Sequence, residues 1–416
     1  MKAFKQFLIL LAFLMQAGHC SATNVLDAID NQVASLLQES DRGRFAYGFT
    51  NWVNQAKASL AAAEPEKLAH WKPLHIQQMW LPDSSMQVFS IFKPWEQNTF
   101  EMKWLVRFVY QGKVRVCDFS DEFKVPLVKK MAADSTFEMV SSFFVNDHNR
   151  LESFSLQGVT SANHYLGCID LRTLVLFELL HDWLFDGDKE ALLKELNDRL
   201  MVLWSDNELF GRDWSCFKRM ITLSTADKNM RVCTYLVPTQ GFASYVKGAV
   251  LLRDANKINV ITLHDRTSEI KAPERSRVSS DKWYGALYTD LIETRYKDKT
   301  FYTLLGFKSN DGLVKTRLID VLTFSGKKAF FGAPQFKQER KTLYRHIFNY
   351  SAGANMMLRY DEKLKLIVFD HLAPSEPFFT GQYQYYGPDF SYDSYRFEKG
   401  DWLLETDIDL RNPKVR

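Results

Sequence analysis

Cysteine is scarce in this sequence: of 416 residues only 5 are cysteine. Charge of neither sign dominates, and no apolar run beyond the first residues approaches membrane length. Each shortage excludes something. With 53 basic side chains against 50 acidic ones and a formal charge of +3, the chain lacks the basic footprint of a nucleic-acid binder and has no acidic tail. No later segment offers the ~20 apolar residues that a spanning helix needs, so no transmembrane span is expected once the first residues are removed. There is no G-x-S-x-G elbow, no H-E-x-x-H, no Walker-type phosphate loop and no Gly-rich dinucleotide turn. The cysteines fit no zinc spacing. The expectation is therefore no catalytic residue, no metal site and no cofactor. Ser325-Gly326-Lys327-Lys328 fits S-x-x-K but lacks the companion motifs, and it reads as a hairpin turn. Asn310-Asp311-Gly312 lacks the ligand spacing of a calcium loop and reads as a turn.

What is present begins with an export signal over residues 1–22. Lys2 and Lys5 form a basic start, Phe7–Met15 is apolar, and the small residues Ala17, Gly18, Ser21 and Ala22 lead to a cleavage point after Ala22. Cys20 invites lipid modification, but His19 stands where a lipoprotein signal needs a small residue. The reading is therefore a soluble periplasmic or secreted protein without a lipid anchor. Cleavage leaves Cys117, Cys168, Cys216 and Cys233. An even count permits disulfides; free thiols buried as small hydrophobes are the favoured alternative.

The stretch Asp83–Asp121 recurs without a gap as Asp227–Asp265, 144 residues on. The coincident pairs include Met86/Met230, Val88/Val232, Pro94/Pro238, Lys103/Lys247 and Val106/Val250, nine in all. Average residue usage predicts roughly two or three over such a window. Cys117 and Cys233 fall at different places in the copies, which argues against an inherited disulfide. Upstream, an apolar helical stripe of Phe49, Val53 and Leu60 returns as Leu192, Leu196 and Leu203, and Trp71 returns as Trp214, with Asp188 as N-cap of the later helix. The repeated unit is thus a helix, a Trp-bearing connector, then strands. Met86–Phe92, Phe100–Tyr110 and Lys113–Asp118 are predicted strands in the first copy, and Met230–Val237, Tyr245–Arg253 and Lys257–Leu263 in the second. The polar run Arg266–Asp281 reads as an exposed loop.

The last third is dense in strand signals separated by turns. The predicted class is therefore α+β and β-dominated: two tandem helix-plus-antiparallel-sheet modules, residues 23–160 and 161–281, the second extended by a large antiparallel region, 282–416. That region is expected to form either propeller-like blades or a sandwich.

Two places could carry chemistry. Asp370-His371 ends an apolar strand, and a carboxylate beside an imidazole suits general acid/base work; a strand end facing water is the alternative. Between Tyr383 and Phe397 the rings of Tyr383, Tyr385, Tyr386 and Tyr392 lie near Asp389 and Asp393. Planar rings can stack on sugar or peptide groups while carboxylates accept their donors; the alternative is that alternate aromatics fill the core.

Finally, the runs Ser224–Val232, Lys282-Trp-Tyr-Gly-Ala-Leu-Tyr288, Phe301–Phe307, Leu318–Leu322, Phe331-Gly-Ala-Pro334, Leu358–Glu362, Val368–Leu372 and Tyr386–Phe390 together resemble a family of uncharacterised exported proteins of Bacteroidetes-type bacteria. The likeness covers roughly Trp214 to Asp409. Members usually carry a Trp-Asp step where this chain has Leu236-Val237. The resemblance implies export from a Gram-negative cell and a β-rich fold, and it brings no established activity. The expected function is a non-enzymatic binding or structural protein of the envelope whose partner is an envelope protein or a glycan. The rival is a periplasmic hydrolase of glycan or peptidoglycan.

Overall fold

A computed structural model describes residues 22–80, 86–95, 99–119, 129–130, 137–138, 143–145, 151–154, 165–166, 169–211, 214–215, 217–239, 244–255, 257–309 and 312–409. Residues 1–21 of the expected signal, together with Asp83, Cys168 and Cys216, lie outside them. The chain divides into two compact units, Met1–Val175 and Leu176–Arg416.

In the first unit, helices α1 (Ala22–Gln38), α2 (Arg42–Ala62) and α3 (Pro65–His70) precede strands β1 (Gln77–Trp80), β2 (Met86–Trp95), β3 (Thr99–Tyr110) and β4 (Lys113–Asp118). Helix α2 starts earlier than its apolar stripe suggests, because the Asp41 side chain accepts from the Arg44 N–H and caps the end. Its Phe49, Val53, Ala56 and Leu60 join Leu26, Ile29 and Val33 of α1 against Phe89, Ile91 and Leu105 of the sheet. Two buried polar groups tie the layers. Asp30 accepts the N–H groups of Leu74, His75 and Ile76, and Arg107 donates to the carbonyls of Leu60 and Ala63, which α2 leaves unsatisfied at its end. The β3–β4 hairpin turns on Gln111 and Gly112, both at positive φ (48° and 77°), the backbone that a two-residue hairpin of primed type requires.

The second unit opens with α4 (Leu171–His181, shared across the boundary), α5 (Lys189–Ser205, capped by Asp188 as its sequence predicts) and α6 (Asn207–Phe210). Strands β5 (Met220–Ser224), β6 (Met230–Pro238), β7 (Ser244–Asp254) and β8 (Lys257–His264) follow in the order β5-β6-β7-β8, as β1 to β4 do in the first unit. The register is the same too. Gln77 faces Ser90 as Ile221 faces Thr234. Met86 faces Phe108 as Met230 faces Leu252, and Leu105 faces Asp118 as Ala249 faces Thr262. Every one of these pairs is related by the offset of 144, so the duplication in sequence is a duplication in fold. A register slip of one residue would turn each matched apolar side chain to the wrong face.

Two further sheets extend the second unit. The middle one contains β9 (Val278–Ser279), β10 (Leu287–Tyr296), β11 (Lys299–Ser309), β12 (Val314–Ser325) and β13 (Lys328–Phe331). Their order is β9-β13-β12-β11-β10, and a later strand, His346–Ser351, also pairs with β12. The outer one contains β14 (Phe336–Gln338), β15 (Lys341–Leu343), then, after β16 (His346–Ser351), β17 (Leu358–Asp361), β18 (Leu366–Pro374), β19 (Tyr386–Glu398) and β20 (Asp401–Glu405), ordered β15-β14-β20-β19-β18-β17. Along the middle sheet Leu304, Leu318 and Leu322 pack with Val232, Val246 and Val250 of the duplicated sheet. Their neighbours Leu305, Ile319 and Val321 pack with Phe369, Tyr395 and Trp402 of the outer sheet. A sheet covered on both faces needs apolar residues at consecutive positions, which is why Leu318–Leu322 shows no alternation. The fold is β-dominated α+β, and the C-terminal region is a sandwich of stacked sheets, none closed into a barrel among the described residues.

The run Arg266–Asp281 is exposed at Arg266, Glu269, Lys271, Arg275, Arg277 and Asp281, and it is pinned where Pro273 and Glu274 accept from Arg345 and from the Tyr344 and Ile347 N–H groups. Tyr383–Tyr385 is a 3₁₀ turn, and the last long strand begins at Tyr386.

Candidate functional site

Strands β18 and β19 bring Asp370, His371 and Asp393 to one place. Their ladder shifts register between Asp370 and Leu372, so His371 sits on a bulge, a device that re-aims a side chain. On the facing strand Asp389 Oδ1 accepts both the N–H and the hydroxyl of Ser391, and the intervening Phe390 takes φ 70° with 92% of its surface exposed. A positive φ at a bulky residue is strained backbone, of the kind that gathers at functional positions.

His371 Nδ1 lies 2.8 Å from Asp393 Oδ2, with the imidazole about half exposed (48%) and the carboxylate buried. The hydrogen bond to Asp393 raises the His371 pKa above its ordinary value, against the opposing effect of burial. The other oxygen of Asp393 accepts the Asp407 N–H at 3.1 Å. Asp370 accepts the Met357 N–H at 2.6 Å. Both carboxylates are therefore held by backbone donors.

These groups line a cleft of about 300 Å³ whose walls include His346, Asn349, Tyr383 and Tyr386. That is the lower end of the range for small-molecule sites. A neighbouring hollow of about 240 Å³ shares Ile347, Asn349 and Tyr383 with it. Tyr383 and Tyr386 rings stand 5.3 Å apart, and the Tyr386 hydroxyl accepts the Gly381 N–H. His346 stays neutral: burial pushes its pKa down to about 3, with the Lys341 charge adding to the effect. Gln338 donates to the Tyr395 hydroxyl, and that hydroxyl lies 3.1 Å from His346 Nδ1. The cleft thus contains one basic and one neutral imidazole beside aromatic faces.

Of the residues singled out in sequence, Asp370, His371, Tyr383, Tyr386 and Asp393 meet at this cleft. Tyr385, Asp389 and Tyr392 do not line it. Tyr385 stacks on Phe379 at 4.0 Å, Asp389 closes its own turn, and Tyr392 faces Asp370 in the ladder. Sequence reasoning missed His346 and Asn349, which sit inside an apolar strand run with no pattern to mark them. Among the described residues no three His, Cys, Asp or Glu side chains gather as a metal site would need. Comparison with protein-family models, with curated proteins and with solved structures finds no match.

Proposed function

We propose that this chain is an exported binding protein of the cell envelope, soluble in the periplasm or secreted, that holds a glycan in the His371–Asp393 cleft without turning it over. The observation that carries the reading is the pairing of ring faces, Tyr383 and Tyr386, with an imidazole oriented by a buried carboxylate. Aromatic faces take the apolar face of a sugar ring, while a fixed imidazole and Asn349 meet its hydroxyls. The basic start and small residues before Thr23 support export.

A glycan array probed with the mature chain tests this reading, beside a pull-down from cell envelopes. Binding to a defined glycan class is expected, weakened at least tenfold by Tyr383→Ala or His371→Ala. An array without signal, or variants that bind as the parent does, would remove the reading. Mass spectrometry of the exported protein should give an unmodified Thr23 terminus.

A hydrolase is the second reading, favoured by the His371–Asp393 pair, whose oriented imidazole could activate water. Against it, both carboxylates already accept backbone N–H groups. The usual glycosidase needs one carboxyl as acid and a second as base or nucleophile. Release of soluble fragments from purified peptidoglycan, abolished by His371→Ala, would move the assignment to that class.

A further inference from the structure

The two copies of the duplicated unit treat one lysine differently. In the first copy Lys103 Nζ pairs with Glu101 at 2.8 Å and sits 5.0 Å from the Phe49 ring centre. In the second copy the matched lysine is Lys247, and identical strand register puts Tyr245 where Glu101 stands. Leu192 takes the place of Phe49. Lys247 has therefore lost both its carboxylate and its aromatic face, and among the described residues no acid lies within ion-pair reach of it.

A cavity of about 470 Å³ lies against Lys247. Its floor is a row across three strands, with Tyr235 opposite Lys247 and Lys247 opposite His264. Helix α5 roofs it with Asn197, Met201 and Trp204. Two acceptors in this wall are already in use. Asn197 Oδ1 takes the Tyr235 hydroxyl at 2.7 Å. Asp265 is engaged by Lys308 at 2.9 Å, by Thr267 and by the Val246 N–H. Two donors stand beside them: the Lys247 ammonium, and the buried Trp204 indole N–H, which has no acceptor. A half-buried cation without a partner is costly, and burial accordingly lowers the Lys247 pKa.

We propose that this cavity binds a small organic carboxylate with a flat or apolar body, the carboxylate meeting Lys247 as Glu101 meets Lys103. The body of the ligand lies between Tyr235 and the α5 side chains Met201 and Trp204. This site is separate from the His371 cleft and does not depend on a glycan binding there.

Calorimetry on the full chain with benzoate, hexanoate and inorganic phosphate as separate probes tests the assignment. Benzoate or hexanoate should bind, and Lys247→Met should weaken that binding at least tenfold while Lys103→Met leaves it unchanged. Tyr245→Glu restores the internal partner of the first copy, so it should compete for Lys247 and abolish binding while raising the melting temperature. Acetylation mapped by mass spectrometry should show Lys247 protected by the bound carboxylate. Absence of binding by both carboxylates, binding of phosphate alone, or a Tyr245→Glu protein that binds as the parent does would overturn the proposal.

Discussion

Arg345 and Asp320 are both fully buried and meet on the face of the middle sheet that carries Leu318 and Leu322, with Arg345 Nε 2.8 Å from Asp320 Oδ2. Tyr288 donates to the same oxygen at 3.1 Å and receives the Trp283 indole N–H. The Val321 N–H takes the second oxygen, and Pro273 O accepts from Arg345 Nη1. The break in the strand run at Tyr344-Arg345 lets this side chain leave the ladder and reach the core.

Removing one member of such a pair leaves an uncompensated buried charge. Arg345→Met should therefore cost about 3–5 kcal/mol in urea unfolding. The double change Arg345→Met with Asp320→Leu should cost clearly less than the two single changes added together. Simple additivity would show that the pair is not coupled.

The matched tryptophans give a second prediction. Trp71 packs on Phe89 and donates to Asp27, while Trp214 packs on Phe210 and Arg231 and donates to Leu209 O. Both are buried, at 4% and 2% exposure. Replacing either by Ala should cost about 3–5 kcal/mol. A loss below ~1 kcal/mol at both positions would mean that the connectors do not anchor their modules.

His346 makes stability fall with acid. Its imidazole titrates near ~6.5 when unfolded but at about 3 when folded, so the unfolded state binds the extra proton in between. Its contribution is complete above the unfolded value and is lost as pH falls toward the folded one, by ~1.4 kcal/mol per pH unit. His371 has the opposite sign: its raised pKa gives stability present in acid and lost as pH rises through the folded value, a small effect because the ring is half exposed. Urea midpoints from pH 7 to 4 should drop less steeply for His346→Gln than for the parent. Parallel curves would remove His346 as the cause.

Thiol chemistry supplies a fourth check. Cys233 is a free thiol, and burial pushes it up to about 12. Iodoacetamide should leave Cys233 unmodified in the folded protein and label it after denaturation without reductant. Protection of Cys233 in the denatured, unreduced protein would contradict the free state.

The duplication was readable in the sequence because register is a linear property. Matched apolar positions such as Met86/Met230 and Val106/Val250 specify an inward face, and an ungapped offset of 144 keeps every cross-strand pair. Helix caps such as Asp188 were readable for the same reason, since the donors they satisfy lie two and three residues away. Only the tertiary structure could decide the sites. His371 meets Asp393 across a bulge that no periodicity announces, and His346 reaches the same cleft from β16, beside the middle sheet. Lys103 and Lys247 look identical in the alignment. Whether each is paired depends on what stands two positions earlier on its strand, Glu101 or Tyr245, and on whether the helix above leaves a space. Fold follows from patterns that repeat along the chain, whereas a site depends on which side chains non-local packing brings together.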